Sequence, residues 1–185
     1  MRRRAEVHEG YAGLLPLGAA VLAAAFVVGW LLVRGDGGGH AAAATAGPTV
    51  VSQAELERFA ASSGRPVYWA GPRSGYSYEL TVRPSGRVYV RYLPKGTRAG
   101  DPHASFLTVG TYPADRAYAN LRHAATGGGA TSKPTRDGGL VLVSNRVPTS
   151  AYLAYPGSNV QVEVFEPAAK QALGLVLSGS VVPVG

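Results

Sequence analysis

The chain contains no cysteine at all, and this single absence removes several classes at once. Disulfide scaffolds, Cys-ligated zinc or iron-sulfur centres, cysteine nucleophiles and a lipid-modified N-terminal cysteine are all excluded. Histidine is also scarce, with four in 185 residues, and His103 and His123 are the two that fall in the second, globular part. Neither has a second histidine or a carboxylate at metal-ligand spacing, so no metal site is expected, and no sequence feature calls for a cofactor. The H-E-x-x-H and G-x-S-x-G patterns are missing as well. Acidic residues are few, 11 against 18 Lys and Arg, which leaves a formal charge of +7. Glycine and proline, at 25 and 13, are frequent yet below the level that marks low-complexity disorder, so the chain is expected to fold.

What is present first is a long apolar run. Gly10 to Val33 gives 24 consecutive residues without a charge, which as a helix would span roughly 36 Å, enough to cross a bilayer. Tyr11 and Trp30 are spaced to sit in the two interfacial belts. Arg2, Arg3 and Arg4 precede the run, whereas Arg34 after it is offset by Asp36, and this asymmetry places the N-terminus in the cytoplasm. The expected organisation is a cytoplasmic N-terminus (1–10), a transmembrane signal anchor (11–33), a flexible Gly/Ala linker (34–50) and an extracytoplasmic domain (51–185). The alternative is a cleaved secretory signal, with small residues for a peptidase at Ala41 to Ala44. Against it, the apolar run exceeds a usual signal core and the small residues lie well beyond its end.

The globular part is read as α+β. Ser52-Gln53-Ala54-Glu55 is a capping box, with Val51 placed to staple onto Leu56, so a helix should begin at Gln53. The period then changes to two: Val67 to Ala70 reads as a strand, and residues 76–93 read as a hairpin turning at Pro84-Ser85-Gly86. With Gly86 left-handed, Arg83 pairs with Arg87, Val82 with Val88, Leu80 with Val90 and Tyr78 with Tyr92. The opposite face then carries Glu79 against Arg91 and Thr81 against Tyr89, as in a sheet wet on one side. Phe106 to Tyr112 is a further strand, Pro113 is expected to open a helix, and a polar loop follows it. Leu140 to Ser144 and a second hairpin, Ala151–Tyr155 with Val160–Phe165, come next. Glu166-Pro167 starts a last helix, and Val181 to Val184 is an edge strand. The sum is one mostly antiparallel sheet of about seven strands with about three helices. Superposing Pro84 on Pro156 suggests a duplicated helix-plus-meander unit.

Chemistry is sparse, and charge is what rises above background. Between Arg65 and Arg98 seven cations stand against Glu79, and tyrosines interleave them. The candidate binding residues are Arg83, Arg87, Tyr89 and Arg91 on the outward face of the hairpin, with Arg73 and Lys95 nearby. Such a basic, aromatic surface suits an anionic polymer or lipid headgroups. The plain alternative is that exposed sheet faces use Arg, Thr and Tyr anyway. Nucleic acid is not an expected partner of a domain outside the cell that carries no recognised nucleic-acid motif. A second function class is an interaction or sensing module for a membrane protein. A third, an enzyme without a familiar motif, needs a concave site that gathers His103 or His123 with Asp101, Asp115 or Asp137. With no catalytic motif, the expectation is not an enzyme.

Val67-Tyr68-Trp69-Ala70-Gly71-Pro72, Tyr89-Val90-Arg91-Tyr92-Leu93-Pro94 and Leu107-Thr108-Val109-Gly110-Thr111-Tyr112-Pro113 resemble segments of uncharacterised single-pass envelope proteins of high-GC Gram-positive bacteria. The resemblance covers residues 50–185 loosely. It implies a single-span envelope topology and, since that group has no assigned activity, supplies no catalytic residue.

Overall fold

The structure, a computed structural model, describes residues 47–185. The expected anchor helix 11–33, with Tyr11 and Trp30, the Arg2, Arg3 and Arg4 triplet, and the linker through residue 46 lie outside the described residues. Among the described residues, no helix is long and apolar enough to cross a membrane.

The fold is α+β, built on one eight-stranded antiparallel sheet with three helices. In chain order the elements are β1 (Thr49–Val51), α1 (Gln53–Ser62), β2 (Tyr68–Trp69), β3 (Tyr76–Val82), β4 (Val88–Pro94) and β5 (Thr108–Pro113). Then come α2 (Ala117–Ala125), β6 (Ala130–Pro134), β7 (Leu140–Ser144), β8 (Val147–Ala154), β9 (Val160–Phe165), α3 (Gln171–Leu177) and β10 (Val182–Pro183). The sheet order is β1-β3-β4-β5-β9-β8-β7-β6, while β2 and β10 form a separate two-stranded ribbon.

Local chemistry accounts for most boundaries. The capping box forms: Glu55 N–H donates to Ser52 Oγ at 3.3 Å and Ser52 N–H donates to Glu55 Oε2 at 2.7 Å. The β3–β4 hairpin has the expected register, with Val82 opposite Val88, Leu80 opposite Val90 and Tyr78 opposite Tyr92. Gly86 supplies the left-handed residue (φ 80°), and Arg83 N–H donates to the Arg87 carbonyl at 2.9 Å. The second hairpin likewise sets Leu153 against Val162 and Ala151 against Val164.

Several expectations are corrected. Pro113 does not open a helix; it is the last residue of β5, opposite Val160, and Ala114 N–H continues the ladder to the Asn159 carbonyl. The helix starts at Ala117, after Arg116 in the left-handed region (φ 54°). The polar loop after it contains β6, an exposed edge strand whose Ala-Thr-Ser-Lys-Pro has no alternation to announce it. The last helix likewise starts later, at Gln171, and the C-terminal strand pairs with β2 instead of extending the large sheet.

Alternation along the strands separates two faces. On the first, Val88, Val90, Tyr92, Val109, Val162, Val164, Ala151 and Leu153 form the main core beneath α1, α3 and the β2–β10 ribbon. Buried hydroxyls pin that ribbon down: Tyr68 N–H donates to Thr111 Oγ1 at 2.9 Å, and Tyr92 Oη accepts from Ala70 N–H at 2.7 Å while donating to the Gly71 carbonyl at 2.9 Å. On the second face, α2 packs Ala117 and Leu121 on Leu142, Tyr152 and Ala154. The other half of that face, over β3 and β4, carries the loop of residues 95–107.

Candidate functional site: a basic sheet end and a buried carboxyl

The loop 95–107 changes the meaning of the hairpin's outward face. Arg91 Nη1 bonds Glu79 Oε1 at 2.9 Å, and the same guanidinium donates to the Asp101 carbonyl at 3.1 Å and the His103 carbonyl at 3.0 Å. Gly100 N–H closes the clasp on Glu79 Oε2 at 2.6 Å, and the Phe106 ring lies 5.0 Å from the guanidinium carbon. The Arg91 side chain is 11% exposed and that of Glu79 1%. This half of the face is therefore covered, not wet, and Arg91 holds the loop to the sheet.

The other candidate residues separate along the strands. Arg83 and Arg87 flank the β3–β4 turn, while Arg73 and Lys95 stand at the opposite end, one strand length away, or about 24 Å for seven residues. Arg73 lies over the Tyr92 ring at 5.5 Å, and Lys95 is exposed. Tyr89 meets Tyr112 edge to face, with ring centroids 5.7 Å apart. The fold adds Arg65, whose guanidinium sits against Gly86 where a Cβ would stand. Arg65, Arg83 and Arg87 thus converge at one end of the sheet, and among the described residues none has a carboxylate within 4 Å. A cleft of about 310 Å³ opens there, lined by Arg65, Gly86, Thr111, Pro113, Ser158 and Asn159 among others.

Sequence reasoning missed Glu163. Register places Tyr89, Gly110, Glu163 and Tyr152 in one row across β4, β5, β9 and β8. Tyr112 lies back over Gly110, where a Cβ would come within 2.5 Å of its hydroxyl oxygen, and it donates to Glu163 Oε2 at 2.7 Å. Glu163 is 2% exposed, and its Oε1 is buried without a hydrogen-bond partner. Burial raises its pKa above the ordinary carboxylate value, offset in part by the hydroxyls of Tyr112, Ser150 and Tyr152 and by Arg87. Burial, and then the charge of Glu163, pushes Tyr112 upward too. Arg87 caps the row, 5.6 Å above the Tyr112 ring. An acid residue inside Val-Gln-Val-Glu-Val-Phe, on the face opposite the core, was the available signal.

The histidine candidates are dispersed. His103 Nδ1 pairs with Asp101 Oδ1 at 2.7 Å on an exposed loop, and the His103 backbone N–H, donating to the same carboxylate, is the largest cause lowering the Asp101 pKa. Asp137 accepts the Tyr155 hydroxyl at 2.6 Å between β6 and β7, at the Arg83 end, and Asp115 follows β5 at that same end. Among the described residues no group of three or more His, Asp or Glu gathers as a metal site would require. Comparison with known proteins returns nothing: no family model, curated protein or solved structure matches the chain.

Proposed function

We propose that the chain is a membrane-tethered extracytoplasmic binding domain, anchored by residues 11–33, that contacts an anionic component of the cell envelope. The observation that carries this reading is the convergence of Arg65, Arg83 and Arg87 at one end of the sheet, beside a cleft and, among the described residues, without carboxylate partners. Arginine forks with no carboxylate within salt-bridge distance among the described residues suit phosphate and carboxylate groups, whether on a polymer or on lipid headgroups. Arg91, which its own hydrogen bonds consume, drops out of the contact set and Arg65 replaces it.

The test uses the full-length chain in zwitterionic nanodiscs, titrated with polyphosphate as a soluble anionic polymer and, separately, with vesicles containing phosphatidylglycerol. Binding to at least one probe at low ionic strength, weakened by added salt, is expected. Absence of binding to both would remove the proposal.

Duplication is not part of the proposal. Superposing Pro84 on Pro156 lays β3 and β4 on β8 and β9, but the same offset carries α1 onto 125–134, where α2 ends and β6 forms, and carries β5 onto 180–185, where β10 pairs with β2 outside the large sheet.

A further inference from the structure

We infer that the sheet end bearing the β3–β4 turn is turned toward the bilayer and docks on anionic lipid headgroups, fixing the domain's orientation at the membrane; this rests on residues 11–33 spanning it. The direction of chain entry is the central observation. β1 pairs antiparallel with β3, Thr49 opposite Leu80 and Val51 opposite Tyr78, so the chain arrives from the Val82 side and runs away from it. The residues just before Thr49 therefore stand at the same end as Arg83 and Arg87.

Register carries this end across the sheet. Thr111 lies opposite Val88, so Pro113 and the residues after it are there, as are the β8–β9 turn and the β6–β7 turn, since Pro113 pairs with Val160 and Leu140 with Ala154 and Pro134. Exposed Arg116 and Arg136 join Arg65, Arg83 and Arg87 on these loops, against Asp115 and Asp137, the second of which already accepts the Tyr155 hydroxyl. Cations also stand at the far end, so charge alone does not select an orientation. Distance does. If residues 34–46 form the expected linker, a Gly/Ala-rich coil of that length would reach roughly 20 Å. Because the chain enters at the near end, that end approaches the surface with the linker relaxed, whereas bringing the far end down stretches the linker past about 24 Å of β3. At physiological salt the headgroup potential decays over about 8 Å, so with the near end docked its arginines feel the potential and the far-end cations do not.

The absence of cysteine makes single-site labelling clean. A fluorophore is placed on Ser85→Cys at the near end or on Ala168→Cys beyond β9 at the far end, both exposed positions, in the full-length chain. The chain is reconstituted in vesicles with or without phosphatidylglycerol, carrying headgroup-attached quencher lipid. Expected is several-fold stronger quenching at Ser85 than at Ala168 in anionic vesicles. The difference should disappear at high salt, in zwitterionic vesicles, and with Arg65→Glu, Arg83→Glu and Arg87→Glu combined, a change worth on the order of 100-fold in surface affinity. Equal quenching at the two sites, or quenching indifferent to lipid charge, overturns the proposal. So does a Ser85 signal that responds to added polyphosphate and not to lipid. Flotation of the unlabelled chain with zwitterionic vesicles at high salt tests the anchor separately. Failure to float removes the spanning reading, and the orientation with it, whereas flotation with equal quenching removes the orientation alone.

Discussion

Removing the Arg91 guanidinium separates an arginine that binds from one that builds. In Arg91→Met the apolar stem still packs, but Glu79 keeps a buried charge supported, among the described residues, by the Gly100 N–H alone, and the Asp101 and His103 carbonyls lose their donor. Breaking one partner of a buried pair costs about 3–5 kcal/mol, a large share of the roughly 5–15 kcal/mol that stabilises a domain. For 139 described residues, this corresponds to a melting temperature lower by roughly 10–15 °C. Thermal unfolding of residues 47–185 followed by circular dichroism reads it directly. Because the penalty comes from the stranded charge, Glu79→Leu combined with Arg91→Met is expected to cost less than Arg91→Met alone. Arg87→Met is the control: it loses a cation-π contact to Tyr112 at 5.6 Å, worth about 0.5–1 kcal/mol. A melting temperature of Arg91→Met within about 2 °C of wild type, or additive behaviour of the pair, would mean that Arg91 does not hold the loop to the sheet.

Three further outcomes follow from the same contacts. Because burial raises the Glu163 pKa in the folded state, the native form holds its proton where the unfolded chain has lost it. The contribution of Glu163 is therefore fully present below the unfolded glutamate pKa and is lost as pH rises through the folded value. Urea unfolding across that range should show Glu163→Gln gaining on wild type as pH rises, and a difference independent of pH would contradict this. Gly110→Ala sets a methyl against the Tyr112 hydroxyl and should displace it from Glu163, at about 1–3 kcal/mol for the buried hydrogen bond lost, visible as altered tyrosine near-UV circular dichroism. Ser52→Ala removes the acceptor of the Glu55 N–H and should cost about 1 kcal/mol in denaturant unfolding; no loss would mean that the staple and packing of α1 suffice.

The sequence exposes what is local and periodic. The α1 cap and both hairpin registers follow from Ser52, Glu55, Gly86 and alternating valines, because each is settled within a few residues. Strand β6 escapes, since Ala130 to Pro134 lies on an edge and has no buried face to impose alternation. Helix α2 starts late because Pro113 is also compatible with the end of β5, and the sheet partner across from it, Val160, is 47 positions away. The site divides the same way. Clustered charge from Arg65 to Arg98 is legible, but which of those cations is free depends on the Glu79 clasp and on a loop whose path depends on tertiary contacts. Arg65 reaches Gly86 only because α1 returns along the sheet, and Glu163 becomes a buried acid only once Tyr112 and Tyr152 close over it.

Under the proposed function, position and not net charge makes the basic end a contact surface. Two full-length variants with the same charge change decide it: Arg65→Glu, Arg83→Glu and Arg87→Glu at the near end, and Arg73→Glu, Lys95→Glu and Arg98→Glu at the far end. Affinity for the anionic probe that wild type binds, measured at one low ionic strength, should collapse in the first and stay near wild type in the second. Equal loss in both would contradict the claim and reduce the basic end to bulk electrostatics.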